Sequence, residues 1–403
     1  MAFRINSYIH RQKKNIAISF VMSMFISILC YLLNNCPYPY WDSLDKFCWL
    51  EYIISNTIPE KLDRSDAFFI NVSYDKQIAN YTYSNGLHGN IAITNRETLL
   101  NFLKIAEETN TYKYIFLDVR FEEGIETDAD SALFAQIKSM RDISYSTHSD
   151  IVELRMDSAV RAKAAINDYF TTIISTNFTR YQFLQDGKES APLRIYTETD
   201  STNKPIKQCG LIYYSDGKLC QNSPFMRIPE NFYAGHDGIK GHQNYYDLGP
   251  MLLTMWSDVE EWRDEMKDKI VIVGDFVNDL HDTYIGMQPG SYLIYLTYKA
   301  LCDGKHFVSW LFIILMFICY IIIILFVLNR ETICHYIPNI KGINSKFILF
   351  ILDMVGYSAS LSFLAIVFYV YFKMTYNIFI PSTILSILSL FVSYKNSKNQ
   401  VRK

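Results

Sequence analysis

Four apolar runs limit what this chain can fold into: Ile16 to Leu33, Phe307 to Leu328, Phe347 to Phe372 and Ile378 to Val392. A hydrocarbon core about 30 Å thick takes about 20 helical residues, so the first three suit membrane-spanning helices. The fourth is short and fits a tilted span or a re-entrant segment. The first run carries no charge and follows His10, Arg11, Lys13 and Lys14. A cleaved leader is usually shorter and ends in small residues, which Asn34-Asn35-Cys36-Pro37 does not offer. Acylation at Cys30 would want a small residue where Leu29 stands.

Cytoplasmic flanks of spans carry an excess of Lys and Arg. Arg4, Arg11, Lys13 and Lys14 place the N-terminus inside, and Arg330, Lys341 and Lys346 do the same for the loop between the second and third spans. The tail holds Lys395, Lys398, Arg402 and Lys403, and only Lys373 faces the other way. The expected order is a cytoplasmic N-terminus at 1–15, a span at 16–33, an exported domain at 34–306 and a span at 307–328. A cytoplasmic loop at 329–346, a span at 347–372, an exported turn at 373–377, a span at 378–393 and a cytoplasmic tail at 394–403 follow. The expected location is a multi-pass protein of the cell inner membrane, with the lipid bilayer as its first partner.

The exported stretch is long enough to bury a full core. A net charge of −3 and a pI near 6.3 offer no basic surface of the kind nucleic acid requires. Cys36 with Cys48, and Cys209 with Cys220, are close enough in sequence to close short disulfide loops in an oxidising compartment. No C-x-x-C, G-x-S-x-G or H-E-x-x-H occurs, so neither an enzyme nor a bound cofactor is expected.

Between the spans the chain alternates strand-like and helix-like patterns. Residues 67–75 and 112–121 read as strands, and 94–108 opens with Thr94 and Glu97 in capping-box spacing before an apolar stripe. Residues 128–140 begin with carboxylates and continue with Leu133, Phe134, Ile137 and Met140 at helical spacing. The rhythm β-α-β-α predicts an α/β domain with a mostly parallel sheet flanked by helices, beside an α-helical membrane part of four spans. Residues 155–170 read as helix, 171–178 as extended and 209–221 as a hairpin turning at Asp216-Gly217. One helix is expected from Pro250 through Met266, then a buried strand in 268–276 and a last helix stopping at Gly304.

In that order, the "FLDVRFE" strand followed by "DAD", the Asp216-Gly217 hairpin, and "KIVIVGDF" followed by Asp282-Thr283 and Pro289-Gly290 resemble the CHASE type 2 extracytoplasmic sensory domain across about residues 66 to 306. The resemblance implies an exported ligand-sensing domain of a bacterial receptor, joined through C-terminal spans to a signalling enzyme. The sequence departs from that family after the hairpin, where Lys218, Leu219 and Cys220 stand in place of its arginine, and only a short basic tail follows Val392. The expectation is therefore a relay to a separate membrane or cytoplasmic partner protein.

If the three apolar strands run parallel, Asp75, Asp118 and the loop after Gly274 holding Asp275, Asp279, His281 and Asp282 stand at their carboxyl ends, the edge where open α/β sheets take ligands. Asp75, Asp118, Asp279, His281 and Asp282 are the candidate ligand-binding residues. Carboxylates there suit a divalent cation or a cationic ligand, with His281 as a borderline partner. The competing reading is structural: Asp128, Asp130 and Asp282 balance helix N-termini and Asp118 satisfies loop amides. His236, Asp237, His242 and Asp247 lack a standard metal spacing.

Asp353 lies inside the third span, where a carboxylate is either functional or hydrated at the interface. Gly356, Ser358, Ser360 and Ser362 nearby permit close packing on another helix, within the chain or in a partner, a second copy of the chain included. Two functions fit these features: a sensor relaying ligand state, or a scaffold subunit of an envelope complex that binds another exported protein. A transporter would need more polar residues in the spans.

Overall fold

Short wholly apolar segments form the centre of a parallel sheet. The computed structural model describes residues 2–35, 62–82, 88–149, 152–168, 177–233, 244–329, 346–374 and 377–401. The chain divides into two units: residues 1–47, 208–225 and 305–403 form one, and 48–207 with 226–304 form the other.

In the second unit, β1 (Ala67–Asn71) leads into a hairpin of β2 (Lys76–Thr82) and β3 (His88–Thr94), then α2 (Arg96–Thr109) and β4 (Tyr114–Leu117). There follow α3 (Asp130–Ser139), β5 (Ile143–Thr147), α4 (Ser158–Arg161) and β6 (Ala164–Ile166). A two-residue hairpin, β7 (Leu184–Gln185) and β8 (Lys188–Glu189), precedes α5 (Ala191–Thr199). The unit resumes with β12 (Tyr246–Asp247), α6 (Leu248–Met255), α7 (Val259–Met266) and β13 (Ile270–Gly274). It closes with β14 (Leu280–His281), β15 (Gln288–Pro289) and α8 (Gly290–Cys302).

The main sheet has six strands in the order β12-β1-β13-β4-β5-β6, and every pairing in it is parallel. Side chains alternate across a strand. Phe68, Ile70, Ile115, Leu117, Val271 and Val273 meet α2, α3, α6 and α7 in one core. The opposite face carries α5 and α8, where the Tyr114 hydroxyl donates to Glu198 Oε2 at 2.5 Å. Helices on both faces satisfy the requirement of an all-parallel sheet for two buried sides.

Several expected elements shift. The cap of α2 is Asn95, whose side chain accepts from the amides of Glu97 and Thr98, one residue beyond the expected Thr94. Residues 155–170 are not one helix: α4 is a single turn capped by Asp157, and Ala164–Ile166 instead extends the sheet beside β5. The helix expected from Pro250 begins at Leu248 and breaks at Trp256, because Asp258 accepts from the Glu261 amide and starts α7.

The first unit holds α1 (Ala2–Asn34), α9 (Trp310–Leu328), α10 (Lys346–Phe372) and α11 (Phe379–Val401). Among the described residues, three helices are long and apolar enough to cross a membrane: Gln12–Asn34, Trp310–Leu328 and Phe350–Phe372. The apolar part of α11 is the shorter Phe379–Val392. In α9, Phe312, Met316, Tyr320 and Ile324 are buried while Trp310, Ile314, Ile318 and Ile322 are exposed. An exposed face that stays apolar is what lipid selects. Ser19 and Ser23 of α1 are fully buried in the packed helices, small residues that let backbones approach.

The same unit contains a three-stranded sheet in the order β11-β10-β9, built from β9 (Lys207–Cys209), β10 (Ile212–Ser215) and β11 (Lys218–Cys220). Its turn has Asp216 at φ 51° and Gly217 at φ 70°, the left-handed pair that a two-residue hairpin requires. Cys209 and Cys220 are both free thiols, contrary to the expected bridge. They lie on β9 and β11 with β10 between, and two strand spacings amount to about 10 Å, beyond disulfide reach. Cys36 and Cys48 lie outside the described residues.

Candidate functional site

The carboxyl edge of the parallel sheet borders a cavity of about 720 Å³ within the α/β unit. Because β1, β13, β4, β5 and β6 all point the same way, the residues just after each of them meet there. Asp118 follows β4, Asp275 follows β13, His148 follows β5, and Asn167 and Asp168 follow β6; all five line the cavity.

Asp118 is the centre of the polar wall. Its Oδ1 accepts from Asn167 Nδ2 at 2.8 Å and its Oδ2 from Ser291 Oγ at 2.8 Å, in the first turn of α8, where the helix dipole favours an anion. Asn167 Oδ1 in turn accepts from the Tyr181 hydroxyl at 2.6 Å. Gly274 makes this packing possible: a Cβ there would collide with Ser291 Oγ and lie 3.1 Å from Asp118 Cβ. Burial, and secondarily the nearby Asp279 carboxylate, pushes the Asp118 carboxyl up to about 6, while Ser291 and His148 oppose the shift.

Asp279 and His281 reach the same cavity from the loop after β13. His281 Nε2 lies 3.2 Å from Asp279 Oδ1, and the Gly290 amide donates to the Asp279 carbonyl at 2.9 Å. A Cβ at Gly290 would come within 2.5 Å of Asp279 Oδ2 and 2.7 Å of His281 Nε2, so glycine is required for their approach. Asp275 is held by Ser73 Oγ, by the Asn278 amide at 2.8 Å and by Lys76 Nζ at 3.2 Å. Burial raises that carboxyl, but these donors outweigh it and leave it at about 2.

A second polar chain runs along β5. His148 Nδ1 is 3.0 Å from Asp168 Oδ1, Asp168 Oδ2 accepts from the Ser149 amide at 3.0 Å, and Ser146 Oγ lies 3.4 Å from His148 Nε2. Burial works against the Asp168 charge, yet His148 and Ser149 hold its carboxyl below the usual range. Ser, His and Asp in that order invite comparison with a nucleophilic triad. Ser146, however, is 1 % exposed and is not among the cavity-lining residues, so a substrate in the cavity does not meet its hydroxyl. The chain orients His148 and steadies the wall.

Of the residues singled out from sequence, Asp118, Asp279 and His281 line the cavity and Asp75 and Asp282 do not. Asp75 sits at the start of α6, where Oδ2 accepts from the Gly249 amide at 3.1 Å; burial raises its carboxyl and that bond opposes the rise. Asp282 is exposed, and its carbonyl accepts from the Phe178 amide at 2.7 Å. Asp130, expected as a helix-end residue, also forms an ion pair with buried Arg96 at 3.6 Å. Asp118 binds side chains rather than loop amides. Sequence reasoning missed Ser146, His148, Asn167, Asp168 and Ser291. Among the described residues no group of three or more His, Cys, Asp and Glu could hold a metal ion. His236, Asp237 and His242 lie outside the described residues.

In the membrane unit, Asp353 is 6 % exposed, on the helix α10 that packs against α11. Its Oδ2 accepts from Ser389 Oγ at 2.7 Å, and its Oδ1 is buried without a hydrogen-bond partner among the described residues.

Comparison with known protein families, with curated proteins and with solved structures gives no match to this chain.

Proposed function

We propose that this chain is a membrane-anchored ligand-binding protein whose α/β unit lies outside the cytoplasm. In this reading the unit works as a CHASE type 2 sensory domain does, and relays its ligand state through the helices to a separate partner protein. The observation that carries the reading is the cavity at the carboxyl edge of the parallel sheet, with Asp118 in its wall. Its size falls in the range of about 300–1,000 Å³ typical of small-molecule sites. It combines apolar walls with a few converging polar groups, the usual composition of such a site. Transmission through spans requires two arrangements of the helices with different ligand affinity. The basic flanks of the apolar runs support the outward orientation.

The test is retention of small molecules from a metabolite mixture by the full-length protein in detergent, read by mass spectrometry. Ile93→Trp, which places an indole in the cavity wall, is the control. A compound retained by the wild type and lost in that variant supports the reading. Retention that is unchanged by the variant, or no retention at all, overturns it.

A scaffold role draws on a different observation. Leu211, in the turn before β10, and Ile212, at the start of that strand, are 68 % and 51 % exposed. Crosslinking followed by mass spectrometry of co-purified proteins separates the two. A kinase, cyclase or regulator supports the relay, and structural envelope proteins in fixed stoichiometry support the scaffold.

A further inference from the structure

We infer that the cavity of the α/β unit takes a small organic cation, an amine or guanidine attached to an apolar body. This rests on the ligand-binding reading above and adds the chemical class. Among the described residues, five carboxylates line the cavity, against Lys76 and Arg120 as the only Lys or Arg. Lys76 is committed to Asp275 at 3.2 Å, and Arg120 is exposed. Asp168 has His148. Glu122 accepts from the Tyr81 hydroxyl at 3.3 Å. That leaves Asp118 and Asp279, and the Asp279 carboxylate disfavours the charge on Asp118.

Asp118 is part-buried and hydrogen-bonded, yet no Lys or Arg pairs with it among the described residues. Asp279 is paired with His281, which carries charge only when protonated. A cation seated beside them relieves both the burial of Asp118 and its repulsion by Asp279. An anion would add to that repulsion, and a neutral polyol would leave it in place.

The apolar lining sets the rest of the ligand. Ile93, Ile125, Phe178, Leu293 and Ile294 line the cavity and supply an apolar surface that a bare inorganic ion cannot use. The volume is also far larger than one ion fills, and no group of three or more potential metal ligands occurs among the described residues. An alkyl or aryl ammonium therefore matches both the carboxylates and the apolar lining.

The experiment compares three probes of equal carbon count, n-hexylammonium, n-hexanol and n-hexanoate, by calorimetric titration into the full-length protein in detergent at neutral pH. The expected result is that hexylammonium binds at least about tenfold more tightly than either other probe. It should also weaken by about tenfold or more in Asp118→Asn and in Asp279→Asn, each verified as folded by its melting curve. Asp279 is half exposed, so its variant tests the charge if Asp118→Asn fails to fold. Hexanol or hexanoate binding as tightly, or hexylammonium binding unchanged in both variants, overturns the inference. No binding of any probe overturns it too. If a metabolite is still retained in an Ile93-dependent manner, the ligand-binding reading survives and only the cationic class falls.

Discussion

Replacing Asp118 by asparagine tests whether the centre of the polar wall is held at an energetic cost. Asparagine is nearly isosteric, its Oδ1 can still accept from Asn167 Nδ2, and its amide can donate to Ser291 Oγ, so the geometry of both 2.8 Å bonds survives. What disappears is the charge. The folded protein raises this carboxyl from its ordinary 3.8 to about 6, chiefly through burial and then through Asp279. Each pH unit of displacement corresponds to about 1.4 kcal/mol, so ionised Asp118 destabilises the fold by about 2–3 kcal/mol. Between pH 4 and pH 6 the native state binds the extra proton, so wild-type stability falls as pH rises through that window and levels off above it. The asparagine variant lacks this slope. Relative to wild type it should gain about 2–3 kcal/mol between pH 4 and pH 7.5, and about 2–4 °C per kcal/mol makes that roughly 5–10 °C in melting midpoint. Melting curves of full-length wild type and variant, followed by intrinsic fluorescence in detergent across that range, give the difference directly, because the other titrating groups are common to both. A difference that stays constant from pH 4 to pH 7.5, or one that shrinks as pH rises, would refute the placement of a strained charge at this position.

Three further outcomes follow from other contacts. Gly274→Ala should lower the stability of the α/β unit by about 1–3 kcal/mol, since the new methyl meets Ser291 and the Asp118 Cβ, neither of which is the free end of a long side chain; a melting curve checks it. Arg96→Met should lose about 3 kcal/mol or more, because the guanidinium lies 4.3 Å from the Phe121 ring centroid, donates to the Arg120 carbonyl at 2.6 Å and faces Asp130, which would be left buried without its cation. The double variant with Asp130→Asn should recover part of that loss, and full additivity would argue against the pair. In the folded full-length protein a maleimide should label the exposed Cys209 and Cys302 and spare the buried Cys30 and Cys220 until denaturation, as mass mapping of modified peptides would reveal.

How much of this was legible in the sequence depends on what competes with the apolar pattern. The segments that became β1, β4 and β13 are short, apolar and flanked by turn formers, and α2 buries a continuous stripe of Leu99, Leu103 and Ala106, so pattern and structure agree. The three-residue β6 reads Ala-Ala-Ile, which is as good a helix as a strand; pairing with β5 decides it, and pairing is not visible locally. Likewise, β2 and β3 alternate polar and apolar residues weakly and become a hairpin by matching each other across seven paired positions. The break between α6 and α7 turns on Asp258 supplying a cap inside an otherwise continuous apolar period. Strand order was not legible at all, and it is what brings Asp118 and Asp279 to one cavity.

The residues missed in that cavity share one cause. Asp118 and the Asp275–His281 loop follow strands that are uniformly apolar, so the carboxyl end of each strand was visible as an abrupt change of chemistry. His148 follows β5, whose sequence Ile-Ser-Tyr-Ser-Thr puts Ser144 and Ser146 on one face, and an apolar criterion passes over it. Yet the alternation that hides β5 also orders the site. Tyr114 and Phe116 face the α5–α8 side, Asp118 continues their register, and Ser144, Ser146 and His148 repeat that parity one strand away. A polar or ionisable residue at the same parity, just beyond the ends of neighbouring parallel strands, is therefore a stronger signal than any carboxylate taken alone. Applied to β6 it finds Asn167, in register with His148, and it excludes Asp75, which lies four residues past the end of β1 and had already been drawn off to the start of α6.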